Sequence, residues 1–338
     1  MLHRLLALLL LAITTVLQAD EPKLAEPKFQ LAWGQKGDKP GEFSSPIGIA
    51  ISAKDEIFVT DLNNARVQKF DTSGKYLSGF ELPLDNPPRK TNLAGGIALD
   101  SEGLSYLSYM GQHKIAVYTQ DGKLVRDWGK KGTCDGEFHQ PGGIVFAKDG
   151  TLLVADQCNH RVQKFTRDGK FLGKWGQHGG EPGKFDGTQP PGSRFGGPHF
   201  LAIDSQERLY TTEGMLGRVQ QLTLDGKPLS AWGSKTDEPG GFGSLQTGFA
   251  KVSFGPIAVM VDRHDRVWVS SLNDRVQVFT PEGKFLFGIT ARGKEPGQVA
   301  RQHGMAMDSQ GHLYVCDAGN QRIQKFAVPP AVTTGSDH

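Results

Sequence analysis

Cysteine is scarce in this chain of 338 residues: only Cys134, Cys158 and Cys316 occur. They form no Cys-x-x-Cys pair and no zinc-ribbon spacing, which excludes a disulfide-built scaffold or a cysteine-held structural zinc. The odd count leaves at least one free thiol in a monomer. A surplus of charge is missing too. Lys and Arg total 38 against 36 acidic residues, a formal net charge of +2, which argues against a nucleic-acid partner held through phosphate contacts. After the first 19 residues no long apolar run remains, so no membrane span is expected in the mature chain. Gly-x-Ser-x-Gly, His-Glu-x-x-His, P-loop and EF-hand motifs are all absent.

What the chain has in quantity is glycine, 44 residues, and a hydrophobic content of 37%, the composition of a globular protein rich in turns. Its first residues, MLHRLLALLLLAITTVLQA, carry one Arg, a short apolar run and a small residue before polar DEPK. This pattern predicts a secretory signal peptide over residues 1–19, cut after Ala19, followed by a linker over 20–27. The expected location is therefore outside the cytoplasm, periplasmic or secreted.

One string recurs: TDLNNARVQKF at Thr60–Phe70, ADQCNHRVQKF at Ala155–Phe165 and CDAGNQRIQKF at Cys316–Phe326. Its basic position can be followed through Arg66, Lys114, Arg161, Arg218, Arg275 and Arg322, at intervals of 47, 48 or 57 residues. These are six copies of one unit. Each unit reads as four short strands, with Gly74, Gly122, Gly169, Gly226 and Gly283 in the turn before the fourth strand. The first two strands of each unit are nearly continuous in apolar residues, so both faces must be covered by neighbours. Radial stacking does this, and the expectation is an all-β, six-bladed β-propeller over 28–328 with a disordered tail over 329–338. The sixth unit lacks a fourth strand, whereas KFQLAWG at Lys28–Gly34 matches the fourth strands FLGKWG and PLSAWG. The N-terminal strand should therefore complete the last blade.

DLNNARVQKF, DQCNHRVQKF, DAGNQRIQKF and the linker WGKKGTCDGEFHQPGGI resemble the NHL repeat, most closely in units one, three and six. The resemblance implies a propeller that serves as a protein-binding module, as an RNA reader or, in the peptidyl-hydroxyglycine α-amidating lyases, as a zinc enzyme. Fold alone does not choose among these.

Residues shared by most units are expected to serve the unit. Asp61, Asp156 and Asp317, with Arg66, Arg161 and Arg322, should bond within their own loops, and Trp33, Trp128, Trp175 and Trp232 should be packing residues. Departures from the unit are more informative. The residue after the proline position of the first strand is Ile47, Gly95, Gly142, His199, Ile257 or His303. Both histidines are expected at the mouth of the central channel, from blades four and six, and they are the candidate metal ligands. The lyase resemblance implies zinc there; His113 or Glu213 is the candidate third ligand. Tyr109, which replaces the loop Asp of blade two, is a candidate for the same mouth. Two long loops, carrying Arg194 and Phe195 in one and Phe242, Phe249 and Phe254 in the other, suggest a ligand rim. The candidate ligand-binding set is Tyr109, Arg194, Phe195, Glu213, Phe249 and Arg301. Cys134 and Cys158 lie in loops of one blade and are candidates for a disulfide, while Cys316 should be a buried free thiol.

The first functional reading is an exported binding module that takes a protein, peptide or glycan on its loop face. The alternative is a metal-dependent lyase or hydrolase using His199 and His303. Sugar-lactone hydrolysis has less support, because no cluster of Glu, Asn and Asp suited to calcium stands out.

Overall fold

A computed structural model of the chain describes residues 26–84, 94–185, 197–243, 255–271, 273–288 and 291–329. The expected signal peptide, most of the linker and nearly all of the expected tail lie outside the described residues. In chain order the first strand is β1 (Lys28–Trp33). Blade one follows as β2 (Pro46–Ile51), β3 (Ile57–Asp61), β4 (Arg66–Phe70) and β5 (Tyr76–Glu81). Strands β6–β9 run between Ala94 and Trp128, β10–β13 between Pro141 and Trp175, β14–β17 between Leu201 and Trp232, and β18–β21 between Pro256 and Gly288. The chain ends on β22 (Met305–Met307), β23 (His312–Asp317) and β24 (Arg322–Ala327). Among the described residues these make six antiparallel four-stranded sheets, and the last has the order β1-β24-β23-β22. The N-terminal strand does complete blade six: Phe29 pairs with Phe326 and Trp33 with Ile323.

The innermost strands touch in the order β2, β6, β10, β14, β18, β22 and back to β2, so the ring is closed. Each of the six hydrophobic clusters is shared by two neighbouring blades; Phe43, Ile57 and Val59 of blade one, for example, meet Tyr314, Cys316 and Ile323 of blade six. This sharing explains why the inner strands are apolar on both faces. Outer strands such as β5 alternate half-buried and exposed residues, as strands with one wet face do.

The seams repeat one device. Trp128 lies 6.5 Å from Tyr106 of its own blade and 5.9 Å from Phe165 of the next, both between ring centroids. Trp232 stands the same way between Tyr210 and Phe279, at 6.0 and 6.2 Å. At the closing seam Trp33 stands between Tyr314 and Phe70, at 6.1 and 5.8 Å. Each indole covers the turn glycine of the next blade. A Cβ on Gly74 (φ +82) would meet Trp33 at 2.7 Å, and one on Gly169 (φ +85) would meet Trp128 at the same distance. Glycine is needed there both for the left-handed backbone and for the room.

Around the channel the blades are joined by hydroxyls. Thr212 Oγ1 receives Phe200 N–H (3.2 Å) and donates to Ile257 O of the next blade (2.6 Å). Ser270 bonds Ala258 N–H and His303 O in the same way, and Ser108 bonds Gly96 N–H and Gly142 O. Blades three and six carry Ala155 and Cys316 at this position. There the backbones meet directly, Gly143 N–H donating to His199 O (2.7 Å) and Gly304 N–H to Ile47 O (2.8 Å). These backbone groups bordering the channel are thus satisfied between blades.

Candidate functional site

The repeated string builds the loop face. Asp156 accepts from His139 N–H (2.7 Å), Asn159 Nδ2 (2.9 Å) and Arg161 Nε (2.7 Å). Arg161 then donates to the carbonyls of Thr133, Cys134 and Glu137, tying the incoming linker down. Asp61 with Arg66, and Asp317 with Arg322, repeat the arrangement. As expected, these residues are structural: their charges are consumed within their own unit.

A second set of contacts links each loop to the next blade. His113, Asp274 and Gln321, each just before the basic residue of its unit, have left-handed backbones (φ 56, 64 and 57). Their side chains accept the backbone N–H of a residue in the segment entering the next blade's first strand. His113 Nδ1 accepts from Gln140 (3.0 Å), Asp274 Oδ1 from Arg301 (2.6 Å) and Gln321 Oε1 from Ser45 (2.6 Å). The three recipients also have positive φ, between 49 and 73. These latches hold the rim of the channel mouth.

Inside that rim lies a cavity of about 200 Å³. Its apolar walls are Ile47, Leu62, Met110 and Phe200; its polar ones include Gln157, His199, His303 and the exposed Arg301. Gly95 and Gly142 stand where blade one places Ile47, which opens the wall on one side. A Cβ on Gly95 would touch only the flexible Met110 side chain, at 3.0 Å, whereas one on Gly142 would strike His199 O at 2.5 Å. The backbones of both histidines are pinned: His199 N–H donates to Thr212 O and His303 N–H to Cys316 O, each 2.9 Å. The His199 ring stacks on Phe200 at 5.3 Å. Burial pushes the His199 imidazole down to about 4. Burial, reinforced by the charges of His199 and Arg301, pushes His303 down to about 3. Both rings are therefore neutral at pH 7, able to accept or donate a hydrogen bond or to take up a proton.

The profile of the NHL repeat matches residues 43–70, 138–165 and 303–326, the units that hold the Asp–Asn–Arg network intact. The chain carries NHL repeats. Over 128 residues, 36% of its length, it is 27% identical to the protein brain tumor of Drosophila melanogaster, of which the match covers 12%. Over 124 residues, 31% of its length, it is 27% identical to the E3 ubiquitin-protein ligase TRIM32 of Mus musculus, of which the match covers 19%. The matched stretch is thus less than a fifth of either relative. Among solved structures, virginiamycin B lyase from Staphylococcus aureus superposes with a TM-score of 0.58 at 15% identity, covering 90% of this chain and 100% of that one. A gluconolactonase from Xanthomonas campestris gives 0.58 at 16% identity, covering 90% and 95%. Likeness at this identity establishes the fold and leaves the chemistry open.

In this propeller the expected site residues part company. His199, His303 and Arg301 come together at the channel mouth. Tyr109 does not join them: it is fully buried between blades one and two, and its hydroxyl meets that of Tyr118 at 2.7 Å. The expectation for Glu213 is corrected likewise. It occupies the loop-Asp position of blade four, with Oε1 on Arg218 Nε and on Gln220 Nε2, both 2.7 Å. His113 serves as a latch between blades two and three. Arg194, Phe195, Phe249 and Phe254 lie outside the described residues. Among the described residues no three His, Cys, Asp or Glu side chains are grouped to hold a metal ion. Two imidazoles without a third ligand do not fit a catalytic zinc centre.

Cys134 and Cys158 are not joined by a disulfide. Cys158 is buried with Sγ 3.5 Å from Gln140 Oε1, while Cys134 is exposed on the linker. Cys316 is a buried free thiol, as expected, with burial pushing its pKa far up.

Sequence reasoning missed the latches and the hydroxyl bridges. A faint signal existed for the latches: His113 and Gln140, like Asp274 and Arg301, are 27 residues apart.

Proposed function

We propose that this NHL propeller is an exported binding module that takes a protein or peptide segment on its loop face, seating one side chain in the channel mouth. The observation that carries the reading is the cavity itself, mostly apolar and about 200 Å³. Sites for whole small molecules run to roughly 300–1,000 Å³. A space this size suits one inserted side chain, anchored by the surrounding loop face. A glycan is the poorer fit, because a sugar brings more hydroxyls than these walls can satisfy. The E3 ubiquitin-protein ligase among the relatives is named for work on a protein, in keeping with a protein partner. Export rests on the pattern of residues 1–19.

Display of random peptides against the purified chain tests the reading. Enrichment of peptides that bind wild type and not Gly95→Leu, whose added side chain fills the cavity, is expected. No enrichment over a bare surface would overturn it. N-terminal sequencing of exported protein should begin at Asp20.

The enzyme alternative draws on one observation, two neutral imidazoles on one cavity. The metal-dependent form of it is weakened by the incomplete donor set. Zinc analysis of wild type beside His199→Ala/His303→Ala separates the readings: stoichiometric zinc, lost in the double variant, would favour the enzyme.

A further inference from the structure

The cavity's chemistry narrows what it receives; this inference rests on the binding-module reading. We propose that the channel mouth is a receptor for one tyrosine side chain of the partner, its ring against the apolar walls and its hydroxyl on the His303 imidazole.

Charge limits the choice first. No acidic residue lines the cavity among the described residues, so an inserted Lys or Arg would bring an unpaired cation beside Arg301. A carboxylate would find its one cation, Arg301, at the exposed rim, where water weakens the pairing, and its other neighbours would be two neutral rings and apolar walls. Burial holds both imidazoles neutral at pH 7. The favoured occupant is therefore uncharged.

His303 then asks for a polar tip. Its Nδ1 is sealed off and has no partner among the described residues. Nε2 is not sealed in this way, which leaves it as the nitrogen open to the cavity the ring lines. A neutral imidazole carries one N–H and one lone pair, in either order. A hydroxyl donates or accepts and so satisfies both tautomers; an indole N–H can only donate, and a phenylalanine ring does neither. The rest of the space calls for a large apolar body, and the Met110 thioether suits an aromatic ring. A phenol combines these properties.

The test uses N-acetyltyrosinamide and N-acetylphenylalaninamide as probes of the full chain at pH 7, by chemical-shift titration. Saturable binding of the tyrosine amide, about tenfold tighter than the phenylalanine amide, is expected from one added hydrogen bond in a dry site. His303→Phe should erase the preference, and Gly95→Leu should remove binding of both probes. Equal binding of the two amides by wild type would overturn the tyrosine assignment while leaving the cavity a binding site. Binding of neither would overturn it as well, and the peptide display judges the broader reading independently. Because the wild-type comparison decides the point, a variant that fails to fold leaves the test intact.

Discussion

Trp33→Ala tests ring closure with an internal control. Trp33 belongs to the N-terminal strand, yet its neighbours are Tyr314 at 6.1 Å and Phe70 at 5.8 Å, with Gly74 beneath the indole. Trp128 has the same surroundings inside the ring: Tyr106 at 6.5 Å, Phe165 at 5.9 Å and Gly169. Truncating a fully buried Trp costs about 3–5 kcal/mol. Both indoles are half-buried, so roughly half of that, about 2 kcal/mol, is expected for each. For a chain of this size that is a fall in Tm of about 3 °C. The assay is calorimetric melting of wild type, Trp33→Ala and Trp128→Ala side by side. If the closing seam is built like the others, the two variants melt together. A Trp33→Ala protein that melts with wild type while Trp128→Ala falls would mean that the chain ends do not meet in solution. The reasoning from six equivalent seams would then be wrong.

Acid should unfold the protein partly through its two channel histidines. Their folded values of about 4 and about 3 lie below the usual 6.5, so the unfolded chain binds more protons as pH falls. The stability they contribute is complete above about pH 6.5 and declines below it, by up to ~1.4 kcal/mol per pH unit for each ring. Urea melts at pH 7 and 5 should show a smaller pH dependence for His303→Gln, and an equal one would refute the assignment. Thr212→Val strips the shared partner from Phe200 N–H and Ile257 O, and should cost about 1–3 kcal/mol in the same melts. Thiol titration of the native protein should find Cys134 reactive at once, with Cys158 and Cys316 reacting only on unfolding; slow reaction of Cys134 would argue against the loop placement.

The fold was legible because it is written repeatedly. Any one of Asp61, Asp156 and Asp317 is ambiguous alone, but three copies of one Asp-x-x-Asn-x-Arg string declare a unit, and the orphan strand Lys28–Trp33 declares the closure. His199 and His303 were legible for the opposite reason, as breaks in an otherwise regular position. Tyr109 and Glu213 break the pattern too, yet both were absorbed by packing. Tyr109 found a hydroxyl partner in Tyr118 across its own sheet, and Glu213 kept the arginine that the aspartate holds elsewhere. A departure from a repeat therefore marks a site only when the new side chain does not take over the old one's contacts.

The latches stayed hidden because the units perform one task with different side chains. Histidine, aspartate and glutamine share no pattern a repeat search would find; what they share is an acceptor atom and a left-handed backbone. Their effect bears directly on the cavity. Ser45 and Arg301 line it, and both are held by the preceding blade, Ser45 by Gln321 and Arg301 by Asp274. The mouth is thus shaped from outside its own lining, by residues that do not themselves line the cavity. Related propellers with the same two histidines need not share a specificity, since a change at the latch position re-aims the rim while leaving the lining residues in place.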